Sequence, residues 1–506
     1  MISELLVNNF KGFSGPHRIK LAPLTLIYGS NSSGKSALLK ALAVINQSTP
    51  KSAFEAFRSS GVSFNFYGTP VDLGGFTNSI FKQDSTKTLS LGIKSKFLFR
   101  PMSRLVMGLI ENVEYSVDFK WNRRINDSET NSIRIKINLN NDDSFELFFK
   151  KTPQVKLVDN ETGTDRNHLE LILDEEDAEL IANYIISTAE FFVNNPTPSN
   201  RHGRELRNRD LESYKEILNY DAERIKQELL QIHSENPILF RVNGFILTQV
   251  IDPRISEGVR VKDNIFYSFI LDLIEDVRST IRKEISGISY IGPMRALPER
   301  MEQDIPDADS RNKSDGSDLV SILANDDGLI SEVNSWLEKL SIPYSIKIGK
   351  VTLQDDMPSF GKYRSLILID KRTNTSLSAK DLGFGISQIL PVILTCLDKK
   401  KSLVLIEQPE LHIHPKLQLE IAELFVHSIK SREQRQLIIE THSENLILRI
   451  QKKIREGQLS SDQVSIIFVG SENETGSWVK HIPILPSGEL AEEWPGGFFT
   501  ERIGEW

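Results

Sequence analysis

The chain has 506 residues and a formal net charge of −8, with 61 Lys and Arg against 69 Asp and Glu. That length exceeds the roughly 250–300 residues at which one core stops growing, so more than one structural unit is expected. Hydrophobic residues at 39% and charged residues at 26% exclude a largely disordered chain, and mild acidity speaks against a histone-like coat on nucleic acid while leaving a local basic groove open.

In chain order, Ile2–Phe10 and His17–Leu21 read as short strands, and Leu24–Ile27 as a third that runs into a glycine-rich turn. From Ser36 to Ile45, Leu38, Leu39, Leu42 and Ile45 recur at three- and four-residue intervals, which predicts a helix. Strand-like runs follow at Leu89–Ile93, Tyr115–Trp121, Ile133–Leu139 and Phe145–Phe149, the last two joined as a hairpin by Asn140 to Asp143. Residues 168–285 read as mainly helical, from Leu169, Leu171 and Leu173 to Leu229, Leu230 and Ile232, with a polar loop over 194–209. After a strand at Ile288–Ile291 and a second polar loop at 302–318, the pattern alternates. Strands at 365–370, 403–406, 436–439 and 464–469 are interleaved with helices from Ser387, Pro415 and Ser443. Such alternation predicts a parallel sheet with crossover helices. The absence of repeats and sustained heptads argues against long coiled-coil arms.

The chemistry is carried by Gly29-Ser30-Asn31-Ser32-Ser33-Gly34-Lys35-Ser36, the GxxxxGK[ST] pattern of a P-loop, set between a strand and a helix. There the glycines let backbone N–H groups turn inward as an anion nest, and the helix N-terminus adds its positive end. Lys35 is placed to meet the β- and γ-phosphates of ATP, and the Ser36 hydroxyl to ligate Mg²⁺. An acid at the end of a buried strand is needed on the other side of the cation, and Leu403-Val404-Leu405-Ile406-Glu407 supplies one.

Together these pieces resemble the ABC-type ATPase heads of the SMC and OLD group, over both ends of the chain and not its middle. Within that group the resemblance is to AAA-type ATPases without a TOPRIM domain, of the kind found in bacterial anti-phage defence. It implies an α/β fold: a P-loop NTPase head with a mixed sheet and an antiparallel β subdomain, interrupted by a mainly helical insertion. The expected division is 1–160 for the N-terminal half of the head, 161–285 for the insertion and 286–506 for the C-terminal half. In such heads ATP lies between two copies, each lending a signature loop to the other's nucleotide. Leu382-Gly383-Phe384-Gly385-Ile386-Ser387-Gln388 stands where the signature belongs but departs from LSGGQ, with Gly385 at the serine position. The resemblance implies that backbone groups from Gly383 through Gly385 to Ser387 grip a γ-phosphate. Glu407-Gln408-Pro409-Glu410-Leu411-His412-Ile413-His414-Pro415 resembles the EEPE-x-H-L-H-P run of OLD-like ATPases, with Gln408 at the catalytic glutamate. A carboxamide orients water but accepts no proton, so either Glu410 takes over or hydrolysis is slow. His442, in Glu440-Thr441-His442-Ser443, matches the switch histidine, and Thr441 or Ser443 is expected to cap the next helix.

Weaker matches are Gln83 as a Q-loop contact to Mg²⁺, Ile291-Gly292-Pro293-Met294-Arg295 as a GPxR turn, and the tail from Glu493 to Glu501. Arg295 is expected to pair with phosphate or with a carboxylate of its own chain. The stretch after His442 is shorter than the roughly 100 residues of a TOPRIM domain, and no CxxC, HExxH, HNH-like cluster or GxSxG motif occurs. The expected partners are therefore a second copy, or a higher homo-oligomer, and a separate effector, a nuclease or toxin. The alternative is an ATP-locked scaffold that hydrolyses little. DNA contact is open through Arg201, Arg204, Arg207 and Arg209 around His202, although Glu205 and Asp210 favour a solvated loop. No run approaches a membrane span, no secretory signal opens the chain, and the one cysteine, Cys396, fits a reducing cytoplasmic setting.

Overall fold

The computed structural model describes residues 1–50, 64–96, 109–123, 126–151, 168–194, 212–235, 239–251, 265–296, 298–304, 313–324, 326–351, 362–381 and 383–499. The arginine-rich loop over 201–209 and Leu382 lie outside them.

β1 (Ile2–Phe10) and β2 (Phe13–Lys20) pair antiparallel, and β3 (Leu24–Gly29) leads through the glycine-rich turn into α1 (Lys35–Gln47). Then come β4 (Leu89–Lys96), β5 (Ile110–Asn122), β6 (Asp127–Leu139) and β7 (Ser144–Lys150). The middle of the chain holds β8 (His168–Ile172), α2 (Glu175–Asn194), α3 (Ala222–Glu235), β9 (Leu239–Asn243), β10 (Ile246–Ile251) and α4 (Ile265–Ser286). The C-terminal part begins with β11 (Ile288–Ile291), β12 (Glu302–Asp304), α5 (Asp327–Lys339), β13 (Tyr344–Val351), β14 (Lys362–Asp370) and β15 (Thr375–Ser378). It continues through α6 (Phe384–Leu397), β16 (Leu403–Glu407), α7 (Pro415–Lys430), β17 (Gln436–Glu440), α8 (Glu444–Arg455), β18 (Val464–Glu472) and β19 (Gly476–Ile482).

Fifteen strands form one sheet in the order β10-β9-β8-β7-β6-β5-β4-β1-β2-β19-β18-β3-β17-β16-β11. From β10 to β18 neighbours run antiparallel, whereas β18, β3, β17, β16 and β11 are parallel. A smaller sheet holds β12, β14, β13 and β15. The expected hairpin joins β6 and β7, with Asn138 opposite Ser144.

Leu169 and Leu171, expected in a helix, lie instead in β8, bonded between β7 and β9. Their spacing of two is the strand period, and both are buried because they face the same side of the sheet. The middle segment thus adds three strands to the main sheet beside its helices. Its apolar residues, such as Ile181, Leu273 and Ile281, join the core that packs against α1.

The parallel strands are apolar at successive positions because both faces are covered. Leu403 and Leu405 of β16 face the core shared with α1 and α4. Val404 and Ile406 face a second core built from α5, α6, α7 and α8. Arg435, 1% exposed, knots this second layer together. It donates to the carbonyls of Thr395, Cys396, Asp398 and Lys401 and to Ser428 Oγ. The tail also has a place: the rings of Trp494 and Phe499 pack edge-on against Tyr28 of β3, with centroids 5.1 and 5.7 Å away.

Candidate nucleotide site

All the strongest sequence motifs meet at the carboxyl ends of β3, β17 and β16. That is where the helix-capped edge of a parallel sheet collects ligands. The turn after β3 needs its glycines. Gly29 has φ 145° and Gly34 φ 104°, and a Cβ on Gly29 would run into the Val469 carbonyl of β18. Asn31 and Ser32 are exposed, and Ser33 is fully buried with a hydroxyl that has no partner. Lys35 begins α1 at 4% exposure. Its ammonium curls into its own loop, donating to the Gly29 carbonyl at 3.0 Å and the Ser30 carbonyl at 2.6 Å. Burial lowers its pKa, while Glu440 and Glu410 act the other way.

Glu407 ends β16 and stands in register with Glu440, which ends β17. Tyr290 of β11 donates its hydroxyl to Glu407 Oε1 at 2.7 Å. Burial and then the neighbouring Glu440 push the Glu407 pKa up to about 7, against Lys40, the Tyr290 bond and Arg295. Glu440 is also raised by burial, opposed first by the nearby Ser36 hydroxyl and then by Lys35 and Lys40.

The turn beyond β16 is held by its backbone. Gln408 sits at φ 46° and donates its N–H to the Glu440 carbonyl at 2.8 Å. Glu410 Oε1 accepts the His442 N–H at 2.7 Å, and its Oε2 has no partner. Burial and Lys35 lower the His442 pKa, so its half-buried ring is neutral near neutral pH. His442 and Glu410 thus meet as the two motifs required. The capping expectation fails. Ser443 stands at the N-cap without a side-chain bond to the helix, its hydroxyl donates to Gln418 Oε1, and Thr441 Oγ1 accepts the Ser443 N–H.

Among the described residues Arg295 makes no hydrogen bond to a carboxylate of its own chain. It is 5% exposed, and its Nη2 donates to the Glu407 carbonyl at 2.7 Å, while Nε and Nη1 have no partner. Its own carbonyl accepts the Gln388 amide at 3.1 Å. The turn after β11 therefore ties α6 to the end of β16. Gly383 is the exposed N-cap of α6, and a Cβ on Gly385 would stand 3.0 Å from the His412 carbonyl. Ser387 is 1% exposed, so its hydroxyl faces the interior rather than the open start of the helix. Gln83 is exposed at φ 55° and donates its amide to Asn78 Oδ1 at 3.2 Å. Among the described residues no hydrogen bond links it to Ser36 or Glu407.

These residues fit ATP with Mg²⁺. Five buried polar atoms without partners lie around this turn: Ser33 Oγ, Glu410 Oε2, Glu440 Oε2 and two nitrogens of Arg295; others lie elsewhere in the chain. Unpaired buried groups of this kind are rare unless a ligand completes them. A family profile described as AAA ATPase domain matches residues 1–447. The chain belongs to the AAA ATPase domain family. No curated protein matches it. Among solved structures, an SMC head bound to the C-winged helix domain of ScpA is 12% identical. That match covers 95% of this chain and 97% of that one, with a TM-score of 0.36. An SMC head domain with a coiled coil and joint from Pyrococcus yayanosii is 11% identical over 96% and 98%, with a TM-score of 0.38. The SMC head domain from Thermotoga maritima is 9% identical over 96% and 99%, with a TM-score of 0.33. Likeness at this level carries no argument about ligands or partners.

In this AAA ATPase domain the sequence reading missed Glu440 as a site residue, and with it Lys40 and Tyr290. The signal was present: Leu437-Ile438-Ile439-Glu440 is an apolar run ending in an acid, as Leu403-Val404-Leu405-Ile406-Glu407 is. Lys40 lies one helical turn beyond Ser36, on the same face of α1.

Proposed function

We propose that this AAA ATPase domain binds and hydrolyses ATP with Mg²⁺ in the manner of an ABC-type head. The observation that carries the reading is the convergence of Lys35, Ser36, Glu407, Glu440, Glu410 and His442 around one turn. The loop N–H groups from Gly29 to Ser36 and the Lys35 ammonium hold the phosphates. Ser36 and Glu407 flank the cation, and a bound Mg²⁺ supplies neutralisation of phosphate charge. Gln408 orients the attacking water, and the open Glu410 Oε2 takes its proton. The water oxygen bonds to the γ-phosphorus as the bond to the oxygen of departing ADP breaks. His442, neutral and fixed through its N–H to Glu410, lies beside Lys35, where it steadies the transferring group.

The wider setting rests on the resemblance of the motifs. In it the exposed start of α6 at Gly383 serves a second copy, and ATP-dependent head dimerisation regulates a separate nuclease or toxin in defence against phage. Two further observations are compatible with an effector on another chain. Among the described residues no three His, Cys, Asp or Glu side chains gather as a metal cage, and no helix is long and apolar enough to cross a membrane. Lys35→Ala is expected to abolish phosphate release from ATP. Unchanged turnover in that variant would sink the mechanism. The second reading, an ATP-locked scaffold that assembles protein or DNA partners, is favoured by the carboxamide of Gln408. It predicts nucleotide-dependent oligomers with wild-type turnover near background.

A further inference from the structure

We propose that Glu440 is the second carboxylate of the cation position flanked by Ser36 and Glu407, and that it makes nucleotide binding conditional on the divalent cation. The inference rests on the ATP-binding reading and adds a residue and a rule to it. Parallel pairing of β16 with β17 sets Glu407 directly opposite Glu440 at the strand ends. The Ser36 hydroxyl is near enough to Glu440 to lower its pKa, so the P-loop hydroxyl that faces the cation and this acid are neighbours. Glu440 is 3% exposed, yet its Oε2 is buried without a hydrogen-bond partner, as a ligand-free cation position would leave it. The positive groups facing the pair are Lys35 and Lys40 from α1 and, toward Glu407, Arg295 from the turn after β11.

Two carboxylates and one hydroxyl are too few to cage Mg²⁺, which prefers one or two carboxylates completed by phosphate oxygens and water. The same two carboxylates repel a polyphosphate that arrives without a cation. Cation and nucleotide therefore each need the other, and Glu440 enlarges both halves of that dependence.

The test is equilibrium binding of a fluorescent ATP analogue to the full chain, once with Mg²⁺ and once with EDTA. Glu440→Gln keeps an acceptor for Ser36 and removes the charge. It is expected to weaken binding about ten- to a hundredfold in Mg²⁺ and to tighten it a few-fold in EDTA. A purely structural role would move both values the same way. Glu440→Asp keeps the charge but withdraws it, so it should weaken binding in Mg²⁺ without the gain in EDTA, and it serves if the first variant does not fold. An unchanged ratio of the two affinities in Glu440→Gln overturns the proposal while leaving ATP binding intact. If the wild type does not bind the analogue at all, or Lys35→Ala binds it as tightly as the wild type, the nucleotide reading itself fails.

Discussion

Glu407→Gln in the nucleotide-free protein gives a stability effect whose sign depends on pH. The Glu407 pKa of about 7 lies above the ordinary 4.5 because of burial and the adjacent Glu440. The folded chain therefore holds this proton more tightly than the unfolded chain does. That contribution is fully present below pH 4.5, is lost as pH rises through about 7, and is absent above it. At about 1.4 kcal/mol per pKa unit the loss amounts to about 3 kcal/mol, undiminished by solvent because the residue is 2% exposed. With an unfolding entropy near 2.1 cal/mol/K per residue, a chain of this size converts that loss into about 3 °C of melting temperature. The carboxamide of the variant accepts the Tyr290 hydroxyl as the acid does, and it never ionises. Thermal melts in EDTA should show the variant about 3 °C above wild type in mildly alkaline buffer and level with it in acid. Saturating Mg²⁺ and ATP should raise wild type in the same alkaline buffer. A variant that melts lower than wild type at high pH, or an offset equal at both ends of the range, would refute the assignment of the shift to Glu407.

Two further outcomes are expected. Arg435→Met removes a donor from four backbone carbonyls around the ends of α6 and β16, of which Cys396 and Asp398 keep a second, so it should cost about 2–5 kcal/mol, read as a lower urea midpoint. Glu410→Gln keeps the acceptor for the His442 N–H but removes the base, and should cut steady-state phosphate release about a hundredfold. Its affinity for a fluorescent ATP analogue in Mg²⁺ should stay unchanged, and unaltered phosphate release would instead assign the proton to another group.

Much of the parallel half was legible because its rules are local. A strand, a glycine turn and Lys35 at the start of a helix are written within a dozen residues, and an apolar run ending in Glu407 marks a doubly covered strand. What the sequence hid was lateral. That Glu407 lies beside Glu440 follows from sheet order, which no spacing between residues 407 and 440 reveals. Leu169 and Leu171 already follow the strand period of two, but so short a run is outweighed by the helical pattern that follows, and bonding to β7 and β9 decides. The inward turn of Ser387 and the grip of Arg295 on a carbonyl, rather than on a charge, likewise depend on how α6 and the turn after β11 pack on β16.

The P-loop strand β3 owes both its neighbours, β17 and β18, to segments made more than four hundred residues later. During synthesis the loop that grips phosphate would therefore leave the ribosome long before the strands that set its shape. At about 5–20 residues per second the delay is on the order of tens of seconds. Such distant pairing also slows folding once the chain is free. Through that interval Leu24, Leu26 and Tyr28 have no permanent cover, so a nascent chain offers chaperones an apolar strand and offers ATP nothing. The capacity to hold nucleotide then arrives late and all at once, and only chains that have completed β17 and β18 acquire it.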